Sequence, residues 1–578
     1  MQKSVNPFHI IIIIALGIVL FIPYLGSVHL FDWDEINFAE SAREMIVTGD
    51  YSKVQINFNP FWEKPPLFIW VQVLSMKIFG INEFAARLPN AIFGILTMLL
   101  IYSFAKKLFK GHIAHWWVLS YLGAITPLFY FKTGLIDPMF NYFIFLSILE
   151  FYKAIKNLNV NYNPNINFLK AGIYTGIAIL CKGPVALLIC LLVLFAMYFA
   201  KRMTWFFSFS HLLIYGFVTL LVCSIWFVPE TVANGPYFLI EFIKYQMGLF
   251  SQNIAGHQQP FYYHTMVLLF GCFPASIIAL TARHKNEYYT YEENLFRTTM
   301  LCLFWVVLIL FSIVKTKIVH YSSLCWLPLT FLSAYAIESI TNQVFKLRTF
   351  YTIVISFIGL SIAAIVFAIP YLMMFHKSEL TKNIKDQFAI ENINANVNWS
   401  WVDTTPAIIL ALGILLFVIL RIKGSKSTNQ FSVLLVSVIL FVSTSSIILV
   451  PKIEKHTQNS IITFLKTKQN ENCYIHNVGY KTYAIYFYAQ TKPLKYMDGL
   501  NLLRENYFKE KAVKNFLQLN ENERNELDSR EKHWLLNHQD IDKPTYFIAK
   551  INNQQDLDKN ENLKVILNQN GFIVYQRK

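Results

Sequence analysis

Long apolar runs separated by short turns dominate the first 450 residues. They cover residues 10–26, 87–108, 114–131, 138–155, 168–183, 184–200, 207–227, 263–282, 297–314, 320–338, 351–373, 404–420 and 431–450. A helix needs roughly 20 apolar residues to cross about 30 Å of hydrocarbon, where every backbone group must bond internally. The pattern therefore predicts a polytopic α-helical membrane protein with about thirteen transmembrane helices. Lys3 precedes the first run and no small-residue cleavage site follows it, so a retained helix is expected there.

The apolar stretch 65–80 breaks the series. It is short, follows Glu63-Lys64-Pro65-Pro66 and contains Lys77. We expect it to lie in the membrane interface, within a first external loop from about 27 to 86; a fourteenth span is the alternative. Charge then orients the bundle, because Lys and Arg favour cytoplasmic turns. With the N-terminus inside, the basic clusters at 106–110, 153–156, 201–202, 283–285, 346–348 and 421–426 all fall inside. Residues 451–578 are then outside.

That last segment changes character. Asn, Lys, Glu and Gln become common, and short β-like runs at 473–478, 546–550 and 572–576 alternate with charged stretches such as 519–533. The expectation is a small soluble α/β domain over 451–578, following a membrane domain over 1–450.

Composition supports this division. Hydrophobic residues are 55% of 578, charged residues 15%, and Phe alone contributes 51. The net charge of +15 suits anionic lipid headgroups, and the cytoplasmic clusters account for much of it. It gives no reason to expect nucleic acid. Of the seven cysteines only Cys473 lies outside the apolar region, which excludes an intradomain disulfide there. No CxxC or CxxH spacing suggests zinc.

The topology gathers the unusual polar residues on the outer face. Asp32, Asp34 and Glu35 follow the first run, and Glu63 and Lys64 precede the interfacial stretch. Asp137 opens the fourth run and Lys182 ends the fifth. His257, Tyr262 and Tyr263 enter the eighth, while Lys315, Lys317, His320 and Tyr321 lie between the ninth and tenth. Ionisable groups at a bilayer edge are expensive unless paired or used. Carboxylates able to activate an acceptor oxygen, beside cations able to neutralise a departing phosphate, suit glycosyl transfer from a lipid phosphate. No nucleotide cofactor is expected outside the cytoplasm. Structural readings stay open for each group: Asp34, Glu35 and Asp137 as helix caps, the lysines snorkelling, the tyrosines in an aromatic belt.

The chain resembles the GT-C glycosyltransferases of the bacterial aminoarabinose transferase and protein O-mannosyltransferase group. The matching pieces are Asp34-Glu35 with Ala39-Glu40-Ser41-Ala42-Arg43-Glu44, Glu63-Lys64-Pro65-Pro66-Leu67, and Ala85-Ala86-Arg87-Leu88-Pro89. Asp137-Pro138, Lys182-Gly183-Pro184, His257 with Pro260-Phe261-Tyr262-Tyr263, and Lys317 with His320-Tyr321 follow in order. The resemblance implies a GT-C-like fold of about thirteen transmembrane helices, with juxtamembrane helices in the first external loop and a periplasmic domain. It also implies inverting transfer of a sugar from an undecaprenyl-phosphate donor to lipid A, another glycolipid, a glycan or a protein. The setting would be the bacterial inner membrane, with the chain a monomer among membrane lipids. Asp34 and Asp137 would then be catalytic; Lys64, Lys317 and Lys182 would bind the donor phosphate, and Glu35, Tyr263, His320 and Tyr321 would support them. Glu63 and His257 are the candidate ligands of a divalent metal. The family's HxxRF-like run is replaced by Gln246-Met247-Gly248-Leu249-Phe250, so Lys244, Lys315 or Lys317 is expected to supply the missing cation. The competing reading is a transporter or flippase of polyprenyl-linked saccharides, which would favour charges deep in the helices and inverted repeats. Neither is visible in the sequence.

Overall fold

The computed structural model describes residues 6–61, 63–156, 163–201, 203, 207–251, 259–282, 289–493, 498–513, 516–539, 541 and 543–578. The chain opens with α1 (Pro7–Phe21), α2 (Asp34–Thr48), two-residue strands β1 (Gln55–Ile56) and β2 (Asn59–Pro60), α3 (Leu67–Phe79) and α4 (Glu83–Leu108). The third apolar run is split into α5 (Ile113–Leu122) and α6 (Ile125–Tyr130). There follow α7 (Asp137–Lys156), α8 (Asn165–Lys182), α9 (Val185–Ala200), α10 (Phe209–Asn234) and α11 (Pro236–Ser251). The eighth run is also split, into α12 (Tyr263–Gly271) and α13 (Ala275–Ala279). After α14 (Tyr291–Ile313), a 3-10 turn over Val319–Cys325 leads directly into α15 (Trp326–Thr341). The helical part closes with α16 (Thr349–Phe375), the short α17 (Lys377–Thr381) and α18 (Gln387–Asn394), α19 (Thr405–Ile422) and α20 (Ser427–His456).

Each of the thirteen apolar runs thus falls on a helix or a broken pair. By length and composition, seven helical stretches among the described residues suffice to cross a membrane, α4, α10, α14, α16 and α20 among them. The 65–80 stretch forms only the 13-residue α3, about 20 Å long. It packs between α2 and α4, and Gln72 Nε2 donates to the Ala86 carbonyl at 2.9 Å. Close helix contact uses small residues where it is tightest. A Cβ on Gly172 of α8 would stand 2.8 Å from the Tyr215 carbonyl oxygen of α10, and one on Gly176 would stand 2.6 Å from Val222 Cβ. This is the small-residue spacing that lets membrane helices approach.

The C-terminal part contains α21 (Asn459–Thr467), β3 (Tyr474–Val478), α22 (Ala484–Ala489), α23 (Asp498–Glu510) and α24 (Glu521–Asn537). Then come β4 (Thr545–Lys550), α25 (Gln555–Asp558), β5 (Leu563–Gln569) and β6 (Phe572–Arg577). The four strands form one sheet in the order β3-β4-β6-β5, with β3 parallel to β4 and the other pairs antiparallel. β4 is buried along almost its whole length, as a central strand covered on both faces is, whereas β5 is an exposed edge.

Three details differ from the sequence reading. The expected boundary at 450/451 lies inside α20, which runs on to His456. The loop after α16 packs on the sheet end, where Asn392 Nδ2 donates to the Asn570 carbonyl at 3.2 Å. Residues 228–262, read as an external loop, contain the end of α10 and all of α11.

Candidate active site

The chain segment ahead of α2 is held from three sides. Arg87 of α4 donates to the carbonyls of Leu25, Val28 and His29 at 3.0, 2.7 and 3.0 Å. Its guanidinium forks onto Glu35, Nε to Oε1 at 2.7 Å and Nη2 to Oε2 at 2.9 Å, with both side chains buried. Glu35 also accepts from the backbone N–H of Phe31 at 2.8 Å and of Gly134 at 2.6 Å. From the C-terminal part, Tyr488 Oη accepts the Leu30 N–H at 2.6 Å, Gln458 donates to the Leu30 carbonyl at 2.9 Å, and His29 meets Glu454 at 2.7 Å. Glu35 is therefore a hub, not a helix cap.

Its neighbour Asp34 is left free to act. Asp34 is the first residue of α2, preceded by Trp33 at φ +73°, a left-handed conformation rarely held by a large side chain. The Asp34 side chain is 38% exposed, and its nearest ionisable partner is the buried His320, with Oδ2 3.4 Å from Nε2. His320 also reaches Asp137 Oδ2 at 4.0 Å. Asp137 opens α7 beneath a loop tethered by Asn90, whose amide donates to the carbonyls of Thr133 and Leu135. Unlike Asp34, Asp137 is buried and takes a short bond from Lys182 Nζ, 2.6 Å from Oδ1. The Lys182 ammonium also lies 5.1 Å from the Tyr321 ring centre and 5.5 Å from that of Phe140.

Lys64, Asp137, Lys182, Gln246 and Tyr321 line one cavity with the apolar Phe140, Val185, Ile189, Phe311 and Leu324. Cations and a carboxylate thus share a pocket with greasy walls. Its outer wall is Glu63-Lys64 packed on α11: Tyr245 donates to Glu63 at 2.8 Å, its ring lies 5.2 Å from Lys64 Nζ, and Gln246 donates to the Glu63 carbonyl at 3.2 Å. Beside Glu63, and buried, the Tyr245 phenol is pushed well above its ordinary range.

Residues 63–228 match the family model described as dolichyl-phosphate-mannose-protein mannosyltransferase. The chain is 28% identical to undecaprenyl phosphate-alpha-4-amino-4-deoxy-L-arabinose arabinosyl transferase 2 of Proteus mirabilis, over 56% of this chain and 58% of that protein. It is 26% identical to the corresponding transferase of Photorhabdus laumondii, over 58% and 60%. The chain thus spans about 60% of the length of these curated relatives. The crystal structure of ArnT from Cupriavidus metallidurans bound to undecaprenyl phosphate superposes with a TM-score of 0.72 at 18% identity, covering 99% of this chain and 98% of that one. The chain is thus similar in sequence to these transferases and similar in fold to that structure.

Within this framework the structure brings Asp34, Lys64, Asp137, Lys182, His320 and Tyr321 together. It does not bring in the others. Lys317 is buried but does not line the cavity; its ammonium donates to the Val314 carbonyl at 2.8 Å. Lys315 is exposed, and Lys244 pairs with Glu241 at 2.9 Å. Tyr263 starts α12 with its ring 5.2 Å from that of His264. His257 lies outside the described residues. No group of three or more His, Cys, Asp or Glu among the described residues could hold a metal, and Glu63 is engaged by Tyr245. No step below runs through a metal. Tyr245 escaped the sequence reading, which noted Gln246 only as the start of the run standing in place of the HxxRF-like element. Phe238, Phe242 and Tyr245 recur at helical spacing and could have revealed α11.

Proposed function

We propose that the chain is an integral membrane glycosyltransferase that moves a sugar from an undecaprenyl-phosphate-linked donor to an envelope acceptor at the periplasmic face, with inversion. In this reading the chain sits in the bacterial inner membrane as a monomer with about thirteen spans and a cytoplasmic N-terminus, and residues 451–578 form the periplasmic unit. One observation carries it: an accessible carboxylate, Asp34, stands beside a buried His320–Asp137–Lys182 cluster at a cavity that Lys64 also enters.

Asp34 takes the proton of the acceptor hydroxyl as its oxygen forms the bond to the anomeric carbon. The bond from that carbon to the phosphate oxygen breaks on the opposite face, which inverts the centre. The departing polyprenyl phosphate gains a negative charge, and Lys64 and Lys182 are placed to stabilise it as it develops. Asp137 holds the Lys182 ammonium and is a positioning residue. Phe140, Val185, Ile189, Phe311 and Leu324 give the cavity an apolar wall, and its volume of about 40 Å³ must widen to take an isoprenoid chain.

The test is Asp34→Asn in the reconstituted full chain. It should bind undecaprenyl phosphate as the wild type does yet transfer about 10²- to 10⁴-fold more slowly; near-normal transfer refutes the role. Mass spectrometry of envelope lipids and glycoproteins, with and without the chain, reads out the sugar and acceptor. Unchanged glycosyl masses in every fraction count against the activity.

A further inference from the structure

A cleft of about 660 Å³ opens between the C-terminal unit and the tip of the β1–β2 hairpin. A second cavity of about 350 Å³ shares Asn57, Asn59, Lys481, Tyr486, Phe516 and Arg524 with it and ends on Glu63 and Tyr245. Glu63 and Tyr245 line this second cavity while their chain neighbours Lys64 and Gln246 line the catalytic one, so the two spaces lie on either side of the Glu63-Lys64 contact with α11.

The hairpin tip is built with effort. Asn57 and Phe58 both hold left-handed backbone, at φ +53° and +55°, in a two-residue turn that ordinarily favours Asn-Gly. The strain is sustained from α2: Glu44 accepts the Phe58 N–H at 2.8 Å, and the Arg43 guanidinium lies 5.9 Å from the Phe58 ring centre. Such outliers persist where the surroundings enforce them and point to a used surface. Here they hold Asn57 and Asn59 at the cleft wall.

The lining chemistry narrows the ligand. Five asparagines and two glutamines face the larger cleft, with Tyr474, Tyr480, Tyr486 and Phe516 among them. Among its cations Lys468 pairs with Glu471 at 2.7 Å and Arg504 with Glu531 at 2.9 Å, while Lys481, Lys492 and Arg524 also line the cleft. Side-chain amides both donate and accept, as a field of hydroxyls requires, and aromatic faces cover the C–H faces of a sugar ring.

We propose that this cleft binds the saccharide portion of the acceptor, a neutral hydroxyl-rich glycan, and feeds its terminal hydroxyl to Asp34. The inference rests on the transferase reading for the word acceptor, but the binding site can be tested apart from it. The full chain in lipid nanodiscs would be titrated calorimetrically with a panel of neutral hexose and N-acetylhexosamine oligosaccharides, a bisphosphorylated glucosamine disaccharide, and undecaprenyl phosphate. At least one neutral oligosaccharide should bind. Asn59→Ala, and Asn472→Trp at the exposed rim, should each weaken it about tenfold or more while leaving undecaprenyl phosphate affinity within about twofold. Binding of the bisphosphorylated disaccharide alone overturns the proposal, as does binding of no oligosaccharide or affinity unchanged in both variants. Oligosaccharide binding without undecaprenyl phosphate binding or transfer would keep the cleft and sink the transferase reading. Transfer to a sugar-free acceptor, with no oligosaccharide bound, would sink the cleft alone.

Discussion

Replacing Glu35 by Ala removes a carboxylate whose two oxygens accept four hydrogen bonds, two from Arg87 and one each from the backbone of Phe31 and Gly134. Breaking a buried ion pair by deleting one partner costs about 3–5 kcal/mol. Each backbone N–H left buried without an acceptor costs about 1–3 kcal/mol more. The losses share one site and do not simply add, so about 4–6 kcal/mol is expected against a usual total of about 5–15 kcal/mol. Glu35→Gln should fall between, because one acceptor oxygen survives while the new amide points hydrogens at donors. The function should fail in a particular way. Asp34 is the next residue, and a displacement of about 1 Å at a reacting group can cost about 10²-fold in turnover, whereas the phosphate cations are untouched. Reversible denaturation in mixed micelles followed by tryptophan fluorescence gives the stability. Steady-state transfer and undecaprenyl phosphate binding then separate kcat from affinity, and an unchanged pH profile in Glu35→Gln marks positioning rather than proton transfer. A Glu35→Ala protein within about 1 kcal/mol of wild type and transferring at full rate would refute the hub.

Three further outcomes follow from neighbouring geometry. Lys182→Met should weaken undecaprenyl phosphate binding about 10- to 100-fold, the worth of a charge-assisted bond; wild-type affinity in equilibrium binding would remove Lys182 from the donor site. Burial and the nearby Glu40 hold the Glu44 carboxyl well above its usual range. It binds its proton more tightly folded than unfolded, so this group costs stability as pH rises from its unfolded pKa toward its folded one. Glu44→Gln copies the protonated form and should be neutral or stabilising at pH 7, and a loss beyond about 1.5 kcal/mol by denaturation would refute that state. Burial pushes the Cys473 thiol up to about 11, leaving roughly one thiolate in 10³ at pH 8. Its alkylation, followed by peptide mass spectrometry, should climb about tenfold per pH unit between 7 and 10; a plateau near pH 8.5 would contradict the burial.

What the sequence disclosed, and what it withheld, divides along physical lines. Runs of span-length hydrophobicity are a local signal, so every one of the thirteen met a helix or a helix pair. The breaks at Gly123-Ala124 and at 272–274 were not read, although Gly123 and Pro274 mark them, because both lie inside continuous apolar stretches. β3, β4 and β6 carry dense β-branched and aromatic residues and were legible, whereas the edge strand β5, exposed and bulged between Val565 and Leu567, was not.

The site shows the same limit more sharply. Asp34 and Glu35 are adjacent acids with one local environment in the sequence, and only the fold separates them. Glu35 meets Arg87, 52 positions away, and is fully spent on structure, while Asp34 stays more than a third exposed beside His320. Asp137 and Asp34 likewise read as equivalent outer-face acids, yet one is bonded to Lys182 at 2.6 Å and the other to no lysine among the described residues. A carboxylate committed to a cation holds that cation in place, and one left accessible can take a proton. The division of labour between positioning and proton transfer was therefore set by long-range pairing, which alternation and spacing along the chain do not encode. The outer-face clustering that charge topology did encode was enough to say where to look, and the pairings within it say which carboxylate to mutate first.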